Sequence, residues 1–370
     1  MKRLELLDYG RFLAALCVLA YHYLFNGIHN GKIDSISHIP GVADVAKYGY
    51  LGVEFFFMIS GYVIFYSAQN KSAGNFLTSR AVRLFPAFWV AVLLTSSVAF
   101  FIGGELMSVS APQVIANLTM FPTLLGYGFV DGVYWTLQYE WKFYFAVFAL
   151  LAFGFQDKLS LAFMLWPVAM LLAKLTGLTG LPYMGGYFCY FAAGCLFALR
   201  GQNQTSASLA SLLLSLYLCI SFTLDKAGVL ESTKGVYYND ALIAAIICSF
   251  FLIFQSMNSA WGSRIRLPGS RLAGAMTYPL YLVHAHIGYM LLSHFANEQN
   301  KLLIYALSLL AVLTLAFLIH VFVERKPAAF WHSLFARTLG AAGDKIQIHA
   351  SALTDYTYRQ LYRLAFGRPR

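Results

Sequence analysis

About ten times along this chain a run of roughly 20 mostly apolar residues begins and ends, with charges gathered in the short stretches between the runs. A run of that length is what a helix needs to cross a hydrocarbon core, and only a segment that satisfies its own backbone hydrogen bonds can do so. The runs fall at 9–26, 49–67, 81–103, 134–155, 159–176, 182–199, 207–223, 240–258, 272–296 and 302–323. The expected fold is therefore all-α, a polytopic transmembrane bundle of about ten spanning helices. The pair 159–176 and 182–199, joined by a short Thr/Gly/Pro turn, also fits one re-entrant unit. Composition agrees: 59% of the 370 residues are hydrophobic and 11% charged, against roughly 25% charged in soluble domains.

The net charge of +10 would suit a nucleic-acid partner, but its distribution argues against one. Lys and Arg divide 19 to 6 between the two sides that the spans define, with Lys142 inside a run. That excess puts both termini in the cytoplasm and requires an even number of spans. Lys2 and Arg3 ahead of an apolar run imitate a signal peptide, yet no small-residue cleavage site follows, so an uncleaved first helix is expected. The domain reading is a transmembrane unit over 1–325 and a basic cytoplasmic tail over 326–370. The end of the tail (Tyr356, Tyr358, Leu361, Tyr362, Leu364 and Phe366 among arginines) suits an anionic leaflet or a loosely ordered tail equally. The five cysteines lie in apolar runs without metal-ligand spacing.

Ionisable groups inside spans are expensive and mark functional candidates. Arg11 and His22 are eleven residues apart, about 16 Å along a helix and almost three whole turns, so they share a face. Glu54 enters the second span and needs a partner or a proton, with Gly52, Ser60 and Gly61 on the same segment reading as close helix packing. Arg80 and Arg83, at i and i+3, put two guanidinium groups on one face. They serve as forked phosphate ligands or as inner-leaflet anchors. Trp135, Gln138, Glu140 and Lys142 crowd the start of the fourth span; Glu140 and Lys142 point apart, so each needs another partner in a polar interior. In the ninth span Pro279 bends the helix and aims Tyr281 and His284 inward, while His284 and His286 diverge too far for a metal pair.

Oriented this way, Arg11, Arg80 and Arg83 gather toward the cytoplasm, and His22, Glu54, Glu140 and His284 lie in the outer half. A cationic inner mouth below a His/Glu cluster suits accepting an anionic donor from inside and acting on something presented outside.

These residues resemble the acyltransferase-three family of bacterial membrane acyltransferases. The likeness rests on Leu7-Asp8-Tyr9-Gly10-Arg11 through His22, the 52–61 segment, Arg80-x-x-Arg83 with Pro86, the 135–144 segment with Glu140, Tyr281-Leu-Val-His284 and the closing Glu324-Arg325-Lys326-Pro327. It implies an O-acyltransferase of the bacterial inner membrane that draws on cytoplasmic acyl-CoA, acetyl-CoA first, with no bound cofactor. The acceptor would be a sugar hydroxyl of a surface polysaccharide or lipid-linked glycan, with polysaccharide-assembly proteins as further partners. It implies Arg11 and His22 as the essential pair, Arg80 and Arg83 as donor ligands, and Glu140 in the site; Glu54, Ser60, Trp135, Tyr281 and His284 support them. A carboxylate orienting His22, as in a triad, is the role expected of Glu140. The sequence departs from some relatives in having no appended esterase-like extracytoplasmic domain. The rival readings are a proton-coupled glycan or lipid exporter using the same residues, which the lack of repeat symmetry disfavours, and a structural partner in a polysaccharide-assembly complex.

Overall fold

The computed structural model describes residues 4–69 and 71–366. Every apolar run forms helix. Among the described residues seven helices are long and apolar enough to cross a membrane: α1 (Glu5–His29), α2 (Val42–Ala68), α3 (Ala73–Ile102), α6 (Gln156–Leu175), α8 (Ser206–Lys234), α9 (Asp240–Asn258) and α12 (Lys301–Arg325). The remaining runs are α5 (Trp135–Ala152), α7 (Phe188–Gln202) and a broken pair, α10 (Ser270–Val283) and α11 (Ala285–Phe295). A short α4 (Ala111–Asn117) lies in the long 104–133 connection, and α13 (Ala328–Phe335) and α14 (Ala341–Phe366) follow α12. Lys2, Arg3, Arg368 and Arg370, which enter the charge count, lie outside the described residues.

The helix edges have local causes. Ser72 caps α3 by accepting the Asn75 N–H at 3.2 Å, Ser110 and Gln113 close a capping box on α4, and Thr205 and Ser208 do the same for α8. The interior is fixed by α7, on which every residue from Phe188 to Leu199 is buried. It packs on α2 at backbone contact distance: a Cβ on Gly61 would sit 2.1 Å from Phe191 O, and one on Gly194 would sit 1.9 Å from Met58 O. Without lipid-expelling force between apolar helices, such close approach supplies the dispersion contacts that hold the pair. Gly52 meets α1 likewise, 2.7 Å from Ala14 O. The expected packing role of Gly52 and Gly61 is borne out, and the runs 159–176 and 182–199 form the two helices α6 and α7.

The bundle is not regular where the polar residues gather. α1 widens into a π-helical turn at His22–Asn26, with the Gly27 N–H reaching back to His22 O. α12 ends in another at His320–Arg325. The α10–α11 helix breaks at His284, downstream of Pro279. Irregular turns of this kind are frequent at functional sites because they redirect side chains without breaking the helix.

The part of the tail whose side chains are described packs against the bundle. α14 docks on α3, where Asp344 and Gln347 accept the Gly74 and Ala73 N–H groups at 3.0 and 2.8 Å. Two of the unpaired donors at the start of α3 are thereby satisfied from the C-terminal segment. The apolar and aromatic side chains invoked for leaflet binding after Thr357 (Tyr358, Leu361, Tyr362, Leu364, Phe366) lie outside the described ones.

Candidate functional site

Two cavities meet in the centre of the bundle. The larger, about 620 Å³, is lined by Arg11, Ser60, Arg80, Arg83, Glu140 and Tyr144 among others. The smaller, about 270 Å³, is lined by His22, Lys32, Asp131, Trp135, Lys226 and His286 among others. Val53 and Tyr281 line both. One face of α1 therefore gives Arg11 to the first cavity and His22 to the second, as the eleven-residue spacing dictates.

In the larger cavity the guanidinium groups differ in how far they are neutralised. Arg11 lies 3.9 Å from Asp8. Arg83 lies 3.6 Å from Glu324, which also holds His320 Nδ1 at 3.0 Å, and its guanidinium covers the Tyr278 ring at 5.0 Å. The Arg80 Nε–H donates to Ser79 Oγ at 3.3 Å and its guanidinium stacks over Tyr144 at 5.7 Å. Among the described residues Arg80 has no carboxylate at ion-pair distance, so it is the guanidinium most available to an incoming anion. Nearby Lys71 is held below the usual lysine range by burial and then by the Arg80 charge, consistent with a region short of negative charge.

Glu140 belongs to this cavity. Ser60 Oγ donates to Glu140 Oε1 at 2.7 Å and Tyr144 O–H donates to the same oxygen at 2.5 Å. This corrects the expected grouping of Glu140 with the outer His/Glu cluster. Its side chain turns toward the arginines, and among the described residues no hydrogen bond joins it to His22. The other polar residues of that segment leave the site: Gln138 donates to Thr123 Oγ1 at 2.8 Å, and Lys142 is exposed, beside the Tyr139 ring.

The partner of His22 is His284. His22 Nδ1 lies 2.7 Å from Val18 O and 3.2 Å from His284 Nε2, and His284 Nδ1 lies 2.8 Å from Tyr281 O. Both carbonyls can only accept, so each ring carries its proton on Nδ1, an assignment made from these partners. It satisfies every contact with both rings neutral and leaves a lone pair on His22 Nε2. Tyr281 shares a hydrogen bond with Thr136 Oγ1 at 3.0 Å. His284 thus aims at His22, while His286 turns in another direction and lines the smaller cavity.

His286 and its neighbours were missed by sequence reasoning. The fully buried Asp131 accepts the Val133 and His286 N–H groups at 3.1 and 2.9 Å. His286 Nδ1 lies 2.9 Å from Val130 O, and Lys32 Nζ donates to His286 Nε2 at 2.7 Å. Asp131 sits in a connection that carries no span, and Lys32 had counted only as a loop charge. Pocket lining by loop residues leaves no periodic signal. Glu54, 1% exposed at its side chain, finds its counter-ion in Lys226 at 2.9 Å. That ammonium lies 4.4 Å from the Tyr50 ring and 4.7 Å from the Tyr187 ring. The Trp135 ring lies tilted against that of Tyr187, their centroids 5.1 Å apart. Among the described residues no group of three metal-ligating side chains is gathered.

An all-helical, multi-pass membrane protein with an arginine-lined cavity joined to a histidine-lined one has the make-up of a membrane acyltransferase. The family model described as an acyltransferase domain matches residues 4–321, nearly the whole chain. The chain belongs to that family, acyltransferase-three. No curated protein and no solved structure matches it significantly.

Proposed function

We propose that this protein moves an acyl group, most simply acetyl, from cytoplasmic acyl-CoA to a sugar hydroxyl of a surface polysaccharide or lipid-linked glycan in the bacterial inner membrane. The observation that carries the reading is the pair of cavities sharing Val53 and Tyr281, with Arg11 on one side and His22 on the other. The larger takes the donor: a cavity of this size suits a cofactor-like ligand, and Arg80 with Arg83 offers forked contacts to the CoA phosphates. Glu140, fixed by Ser60 and Tyr144, holds the arginine side of the site in register rather than acting on His22. The smaller cavity takes the acceptor.

In the transfer step the acceptor oxygen attacks the thioester carbonyl, its proton passes to His22 Nε2, the new C–O bond forms and the C–S bond breaks. The departing thiolate takes that proton and leaves as the CoA thiol, so atoms and charge balance without a cofactor. General-base assistance of this kind is worth about 10²–10⁴-fold in rate.

The test is acetylation of surface glycan in cells carrying wild-type protein or His22→Ala, with membrane levels matched. Acetyl groups lost in the mutant alone support the reading. Acetylation unchanged in the mutant removes His22 from the chemistry. Wild-type membranes that neither transfer nor hydrolyse labelled acetyl-CoA sink the reading itself.

A further inference from the structure

The smaller cavity carries more positive charge than its own acids neutralise. Three ammonium groups line it, those of Lys32, Lys226 and Lys234, against one lining carboxylate, Asp131. Lys226 is answered by Glu54 behind it. Asp131 spends an oxygen on each of two backbone N–H groups, Val133 and His286. Lys32 is the remainder. It is half-buried, its ammonium donates to the neutral ring of His286 at 2.7 Å, and among the described residues no carboxylate lies at ion-pair distance from it. Burial lowers its affinity for the proton below the usual lysine value, with Asp131 opposing from farther off. A partly buried ammonium that lacks a counter-ion is costly, and an anion arriving in the cavity removes that cost.

Position gives this charge a purpose. Lys32 Nζ and the His22 ring each lie 5.9 Å from the ring of Tyr289, on the walls of one cavity. Tyr289 itself is pinned by Asn26 at 2.9 Å, on the π-helical turn that begins with His22. Trp135 and Tyr187 add flat apolar faces. Lys234, exposed at the end of α8, stands at the rim.

We infer that the smaller cavity selects an acceptor sugar bearing a fixed negative charge, a carboxylate or a phosphate, with Lys32 as the residue that reads it. The anion docks on the Lys32 ammonium, the sugar ring lies along the aromatic wall, and a neighbouring hydroxyl is delivered to His22. Lysine suits the task because a compact point charge accepts either oxyanion without demanding the forked geometry that arginine imposes in the donor cavity. The inference rests on the acyl-transfer reading only for the purpose of binding, not for the binding itself.

The experiment uses the full-length protein in nanodiscs with three probes: methyl glucoside, methyl glucuronoside and glucose 1-phosphate. Thermal stabilisation without donor measures binding, and labelled acetyl-CoA measures transfer. Wild type should bind a charged sugar at least about tenfold more tightly than the neutral one, the scale of one charge-assisted contact. Lys32→Gln should erase that preference and Lys32→Arg, which keeps the charge, should retain most of it. Preference for the glucuronoside alone assigns a carboxylate, and for the phosphate alone a phosphate. Equal binding of all three sugars, binding of none, or a preference that survives in Lys32→Gln overturns the inference. Preference without transfer to any sugar leaves the anion site standing and removes the acyl-transfer reading; transfer without preference does the reverse.

Discussion

His284 is held at both ends, by Tyr281 O on one nitrogen and His22 on the other, and that fixes what it contributes. It accepts from the Nδ1–H of His22 and so helps Val18 keep the proton off Nε2, the nitrogen that must be basic. Removing it leaves the Val18 contact but frees the ring to swing. His284→Gln should therefore lower kcat by about 10²-fold, the cost of roughly an ångström of misplacement, while leaving the KM for acyl-CoA and the melting temperature near wild type. Steady-state kinetics with a thermal melt checks it; a rise in KM alone would assign His284 to donor binding instead. At this scale the sequence was informative where charge was costly. Arg11, His22, Arg80 and Arg83 stand out because lipid-depth ionisable groups need a reason, and a periodicity of 3.6 says which share a face. The role of Glu140 was misjudged because its position along α5 does not reveal its rotation: two hydroxyls, Ser60 and Tyr144, turn it to the arginine side. Lys32 and Asp131 were invisible as site residues because loops have no register to read.

The helices that position these groups meet at backbone contact as well as through interlocking side chains such as Phe57 and Phe191, whose rings lie 4.8 Å apart. Where Gly61 faces Phe191 O and Gly194 faces Met58 O, α2 and α7 leave no room for a Cβ, and α2 also carries Ser60 into the larger cavity and Glu54 to a place behind Lys226. Gly61→Leu must push the pair apart. Overpacking of this kind costs about 1–3 kcal/mol, and here it also displaces Ser60 from Glu140. The expected result is a clearly lower melting temperature in detergent together with loss of activity, whereas Gly228→Ala on α8, which meets nothing within 4 Å, should change neither. A Gly61→Leu protein that melts like wild type would show that the α2–α7 contact is looser than its geometry. The small residues at 52 and 61 made the α2 side of this packing readable in advance; Gly194, its counterpart on α7, was not singled out. The docking of α14 was not, since it depends on Asp344 and Gln347 finding two backbone donors 270 and more residues away, a contact that no local pattern encodes. It ties the C-terminal helix to the start of the helix that carries Arg80 and Arg83.

For the whole molecule the decisive property is direction. On the proposed reading the donor is cytoplasmic acyl-CoA, so the arginine cavity is expected to open there and the Lys32 cavity on the other face. Every apolar run is helical, and Lys and Arg favour one side by 19 to 6, a bias that orients chains through their short loops. If all ten runs cross, the segment holding Gly128 and the docked tail holding Ser351 lie on opposite sides. Single cysteines at these positions, in a background with Cys17 and Cys248 changed to Ser, report this directly through a maleimide that cannot cross membranes. Gly128→Cys should label in intact cells and Ser351→Cys only after the membrane is opened. Both positions are in described parts of the fold, and neither lines a cavity, so labelling leaves the chemistry intact. Labelling of both in intact cells would mean an even number of crossings between them. The two cavities would then need a donor delivered from outside, and the arrangement of arginines and lysines would have to be assigned the other way round.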